Sequence, residues 1–147
     1  MATLAAMLGV TLPADAGVDS VNVLPALLGE KRSASLREAT VHHSAQGKFA
    51  IRKGDWVLIL APTGDDNGKR GEPAWFRQDR GYAAHAEPGE LYNLAADPAQ
   101  KTNRYATEPA KVKELSVLME KYVSEGRSTP GPKQTNDVNV NWDHRRK

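Results

Sequence analysis

The stretch Phe49-Ala50-Ile51-Arg52-Lys53-Gly54-Asp55-Trp56-Val57-Leu58-Ile59 decides the fold. Two runs of apolar, β-branched and aromatic residues flank a polar Lys-Gly-Asp break, the pattern of two antiparallel strands joined by a tight turn. Gly54 supplies the positive φ that such a turn requires, because it has no Cβ to clash. With 49–52 paired to 56–60, Phe49 and Ile51 are expected to face Val57 and Ile59 and to mark the core side of the sheet.

Outward from the hairpin, 39–44 reads as a short strand carrying Val41, and 90–94 as a last short strand before the Asp97-Pro98 turn. Between them, 61–73 holds Pro62, Gly64, Asp65, Asp66, Asn67, Gly68 and Gly71 without apolar periodicity, a long loop. Trp75, Phe76 and Tyr82 interrupt the polar run that follows, and Trp75 is expected to pack back on the sheet. Helices are expected over 2–8, stopped by Gly9, and over 21–28, closed by Gly29. The best amphipathic helix has Thr107 as its N-cap and Pro109 in its first turn. It places Val112, Leu115, Met119 and Tyr122 at three- and four-residue steps up to Gly126. Beyond Arg127 no periodicity supports an element, so 128–147 reads as an extended or disordered tail. These elements predict an α+β fold: a small antiparallel β-sheet of three or four strands packed with a carboxyl-terminal α-helix.

A chain of 147 residues suits one domain, and 39% apolar with 26% charged residues is an ordinary soluble composition. The net charge of +2 is too small for a nucleic-acid binder, and Arg145, Arg146 and Lys147 read as a solvated tail. The absence of cysteine excludes disulfides, thiolate zinc sites and a cysteine nucleophile within this chain, and it leaves the compartment unread. Residues 1–12 are apolar without a positive leader, and Gly9 and Pro13 break the run. The expectation is neither a signal peptide nor a membrane span but a chain entering mid-fold.

The hairpin stretch followed by Glu90-Leu91-Tyr92-Asn93-Leu94-Ala95-Ala96-Asp97-Pro98 resembles the carboxyl-terminal region of the sulfatase family. Asp19-Ser20-Val21-Asn22-Val23-Leu24-Pro25-Ala26-Leu27-Leu28-Gly29 before it, and Asn103 with the 109–118 helix after it, fit the same family in the same order. The resemblance implies that 1–30 ends a large alkaline-phosphatase-like α/β domain and that 31–127 forms the smaller carboxyl-terminal subdomain. It also implies hydrolysis of sulfate esters by a formylglycine, made from a Cys or Ser in a C/S-x-P-x-R motif, with calcium polarising the sulfate. Neither that motif nor an Asp-Asp pair near the start is present, so formylglycine and calcium are expected in a catalytic domain outside this chain. Asp65-Asp66 lacks the ligand spacing of a calcium loop and reads as a solvated loop tip.

His42 and His43 are the candidate site residues. By resemblance their turn faces the substrate cleft, where one of them would contact the sugar or aryl ring. Neighbours on a strand point to opposite faces, so at most one does so, and His43 is preferred. The competing reading is a structural or solvated pair. Metal binding by both is discarded, for want of a third ligand at suitable spacing. Arg52 and Lys53 read as exposed and solubilising, Trp56 as core, and Trp75 and Tyr82 as either sugar-stacking or loop-anchoring aromatics.

The first functional reading is the pocket-forming part of a sulfatase acting on a sulfated carbohydrate or aryl sulfate, catalytically inactive alone and partnered by the missing catalytic domain. By resemblance it is periplasmic or secreted. A stand-alone carbohydrate-binding or interaction module and a non-functional truncated product are the alternatives.

Overall fold

The computed structural model describes residues 1–31, 33–64, 72–79 and 81–145. The elements run α1 (Ala2–Met7), α2 (Leu24–Leu27), β1 (Thr40–His43), β2 (Phe49–Lys53), β3 (Trp56–Ile59), α3 (Ala74–Asp79), β4 (Glu90–Asn93) and α4 (Pro109–Glu125). The four strands form one antiparallel sheet in the order β1-β2-β3-β4, each paired with its neighbour in sequence.

The hairpin forms, but with a register that corrects the expected facing. Lys53 pairs with Trp56, leaving Gly54 and Asp55 as a two-residue loop, and Gly54 takes φ 59°. Glycine first in a two-residue loop is the type II′ arrangement, whose twist matches that of the strands. Ile51 therefore opposes Leu58, while Val57 and Ile59 oppose Arg52 and Ala50. Strand side chains alternate with a period of two, so pairing one residue away from expectation moves the whole set to the other face.

The resulting rows across the sheet are Val41, Ile51, Leu58 and Leu91 on one face, and Thr40, Arg52, Val57 and Tyr92 on the other. Ile51, Leu58, Leu60 and Leu91 on the first face are fully buried, as are Leu115 and Met119 of α4. On this side Lys53 Nζ lies 3.3 Å from the Glu114 carboxylate of α4, and Lys111 Nζ lies 5.9 Å from the centre of the Trp56 ring. Trp56 is thus half-buried under α4 rather than a core residue.

The apolar stripe of α4 is as expected: Val112, Leu115, Met119 and Tyr122 are all buried. Its start differs. Pro109 occupies the first helical position, and the Thr107 hydroxyl donates to the Arg104 carbonyl at 3.2 Å instead of capping the helix. Two further expectations fail between β3 and β4. Residues 74–79 form a helix where the sequence carried no helical periodicity, and Trp75 is 64% exposed instead of packed. Its neighbour is Phe76, edge-on with ring centres 5.7 Å apart. Tyr82 is half-buried, with the Arg77 guanidinium 5.8 Å from its ring centre.

The chain separates into two compact units, one of 1–38 with 120–139, the other of 39–119 with 140–147. In the first, the α1 segment is tied to the residues that precede α2: Ala2 N–H donates to Ser20 Oγ at 2.8 Å and Val23 N–H to Thr3 Oγ1 at 3.0 Å. Leu4, Met7, Leu8, Leu27 and Leu28 on these helices are more than half exposed. Residues past α4 carry no helix or strand yet are held in place. Gln134 N–H donates to the Glu125 carbonyl at 2.8 Å, and Ser128 Oγ to the Asp19 carboxylate at 2.7 Å. In the second unit, His144 N–H donates to the Leu60 carbonyl at 2.8 Å. Arg145 is half-buried there, bonded to Asp143 at 2.6 Å and to Ser116 Oγ at 2.9 Å, which corrects its reading as a solvated residue. Arg146 and Lys147 lie outside the described residues.

Candidate functional site

The sheet face opposite α4 bears a cavity of about 400 Å³ within the second unit. Its position follows from the register. The row His42, Ala50, Ile59 lies beside the row Thr40, Arg52, Val57, so alternate residues of three strands point to one side. Ala50, Val57, Ile59 and Leu94 form an apolar floor, and Lys48, Gly64 and Gln100 complete the wall.

The two candidate histidines both line this cavity, but they differ in role. His42 opposes Ala50 and shares the cavity face with Arg52. His43 opposes Phe49 on the other face, with ring centres 5.4 Å apart. Its Nδ1–H donates to the Ser44 carbonyl at 2.8 Å, which leaves the Nε2 lone pair of the neutral ring available. Both histidines are exposed. The hairpin that carries them closes by Ser44 N–H to the Lys48 carbonyl at 2.9 Å and Lys48 N–H to Ser44 Oγ at 3.1 Å.

A second polar arrangement borders the cavity and was not foreseen. Glu90, next along the His42–Ala50–Ile59 row, is 3% exposed. One carboxylate oxygen accepts Gly64 N–H at 2.9 Å and the other meets His85 Nε2 at 3.0 Å. A buried carboxylate without such partners would be costly, so Glu90 pins both Gly64 and His85 to the sheet end. The sequence signal was only an acidic residue at the start of an apolar strand. Gln100 was also overlooked; it holds φ 53° in the turn after β4, where Thr102 N–H donates to Asp97 at 2.8 Å. The Lys101 amide, and after it the Thr102 bond, hold the Asp97 carboxyl below its usual range.

The calcium and formylglycine that the resemblance implies do not fit the residues present. Among the described residues no group of three His, Asp or Glu gathers, and the chain has no cysteine. Asp65 and Asp66 lie outside the described residues. The nearest approach to the nucleophile motif, Ser128-Thr129-Pro130-Gly131-Pro132, has Pro132 where arginine is needed, and Ser128 Oγ is bonded to Asp19.

Comparison with known proteins finds bacterial sulfatases similar to this chain. N-acetylgalactosamine-6-O-sulfatase of Bacteroides thetaiotaomicron is 35% identical over 119 residues, 81% of this chain. This chain resembles the bacterial sulfatases. The chain spans 21% of the length of that curated relative. A solved 6S-sulfatase from a Bacteroides thetaiotaomicron locus for metabolism of multiple glycosaminoglycans is 34% identical, with a TM-score of 0.62 over 82% of this chain and 23% of its own. A protein solved with its substrate D-glucosamine-2-N,6-O-disulfate shares the fold, with a TM-score of 0.50 at 23% identity over 82% of this chain and 22% of its own. No family model matches. Among the described residues of this sulfatase-like chain, no helix is long and apolar enough to cross a membrane.

Proposed function

We propose that this chain is the carboxyl-terminal portion of a sulfatase that hydrolyses sulfate esters of a sulfated carbohydrate, and that it walls the substrate pocket without supplying nucleophile or metal. The observation that carries this reading is the 35% identity to an N-acetylgalactosamine-6-O-sulfatase over 81% of the chain but 21% of that relative. A 6-O-sulfated amino sugar heads the candidate substrates on that ground. The exposed Leu4, Met7, Leu8, Leu27 and Leu28 support the reading, since apolar surface of this kind is what a larger α/β domain would cover. His42, on the cavity face, makes the sugar contact, with His43 Nε2 as a further acceptor at the edge. The parent protein is periplasmic or secreted, as the resemblance implies.

The test is hydrolysis of N-acetylgalactosamine 6-sulfate and an aryl sulfate by the 147-residue chain and by a longer chain that includes the upstream coding sequence. Turnover is expected from the longer chain alone. Turnover by the 147 residues, or by neither form, would overturn the reading.

A further inference from the structure

Arg52 and Lys53 are adjacent in sequence, and the strand sends them to opposite faces. Lys53 is committed: its ammonium lies 3.3 Å from Glu114. Arg52 is exposed on the cavity face, and its hydrogen bonding among the described residues is a single bond from Nε to the Gly54 carbonyl at 2.9 Å. Among the described residues that bond uses Nε alone, and the two terminal nitrogens form the planar fork that bidentate pairing uses.

Among the described residues, the charged side chains that line the cavity have one sign. The lining carries the cations Arg52 and Lys48, with His42 and His43 as further nitrogen groups, and among the described residues no carboxylate. The nearest acid in the same row, Glu90, is turned to Gly64 and His85. The floor below is Ala50, Val57, Ile59 and Leu94, and about 400 Å³ falls within the ~300–1,000 Å³ range of small-molecule sites. A cationic rim over an apolar floor suits a ring with one hydrophobic face and one oxyanion. Gln100 adds an amide at the wall from a backbone position of φ 53°, which a side-chain-bearing residue adopts at a cost, and such strain collects where a side chain has a task.

We infer that Arg52 is the specificity-determining residue of this cavity, pairing its guanidinium fork with an oxyanion, sulfate or carboxylate, on a sugar ring seated on the Val57–Ile59–Leu94 floor. The sugar rests on the sulfatase reading above; the oxyanion rests on the cavity itself. Bidentate pairing makes lysine a poor replacement, and neutral sugars lose the rim contact.

The experiment is an amide chemical-shift titration of the 147-residue chain with galactose 6-sulfate, galacturonate and galactose. Shifts confined to the cavity lining, on the strands bearing His42, Arg52 and Ile59 and at Leu94 and Gln100, are expected with at least one of the two anionic sugars and not with galactose. Response to one anion alone identifies which oxyanion the fork takes. Arg52→Gln and Arg52→Lys should each weaken binding about tenfold or more, whereas Lys53→Gln should not change it. Gln100→Gly should weaken binding while leaving the melting temperature unchanged or raised, a separation that a merely structural role would not produce. Equal binding of galactose, an unchanged affinity in Arg52→Gln, or no response to either anion would overturn the inference. Because this readout needs no turnover, anion binding by Arg52 with an inactive longer chain would sink the sulfatase reading alone.

Discussion

Arg127 should be the most sensitive surface-loop position in the first unit, and replacing it with methionine measures what a buried guanidinium contributes. It is 8% exposed and all of its N–H-bearing nitrogens are engaged by uncharged acceptors. Nε donates to the Thr129 carbonyl at 2.8 Å, Nη1 to the carbonyls of Pro132 at 2.8 Å and Ala14 at 3.2 Å, and Nη2 to Pro130 at 3.0 Å and Thr129 Oγ1 at 3.3 Å. Bonds to a charged donor contribute about 1.5–3 kcal/mol each, but they do not add, because methionine also recovers the desolvation of the guanidinium. Ala14, Pro130 and Pro132 are exposed, so water replaces part of what is lost. A net loss of about 3 kcal/mol is expected for Arg127→Met, and about half of that for Arg127→Lys, which keeps the charge with fewer donors. The guanidinium also lies flat against Gly131: a Cβ there would sit 2.5 Å from Cζ and both terminal nitrogens, and φ is 149°. Gly131→Ala should cost about 1–3 kcal/mol in the parent and less in the Arg127→Met background. Urea unfolding followed by circular dichroism gives all four corners of the cycle. A loss below about 0.5 kcal/mol for Arg127→Met, or strict additivity with Gly131→Ala, would refute the reasoning.

Two further outcomes follow from burial. Leu58→Ala, at a fully buried position in the middle of the Ile51–Leu91 row, should cost about 2–5 kcal/mol in urea unfolding, whereas Val117→Ala on the exposed side of α4 should stay within about 0.5 kcal/mol. Burial raises the Tyr122 hydroxyl to about 12 from its ordinary 10.0, and the Glu38 carboxylate it donates to, at 3.3 Å, adds to the shift. The unfolded phenol ionises first, so this stabilisation is complete below pH 10.0 and is lost as pH rises toward 12. The urea midpoint of the parent should therefore fall more steeply across that window than that of Tyr122→Phe; parallel profiles would contradict it.

What the sequence determined by itself is local. The Gly54 turn, the strands on either side of it, the last strand over 90–93 and the buried stripe of α4 are legible because turn chemistry, β-propensity and helical periodicity act over a few residues. The lack of a nucleophile motif is legible too, because motif chemistry is written in neighbouring residues. Only the tertiary structure decided which face each strand presents. Pairing Lys53 with Trp56 sets Ile51 against Leu58, and the same choice puts Arg52 into the cavity with His42 while Lys53 goes to Glu114. It also decided that α3 forms, that Trp75 stands exposed, and that Glu90 is buried with two partners. Register has a period of two, so a shift of one residue exchanges inside for outside without changing any local preference, and the choice is made by packing between segments far apart in sequence.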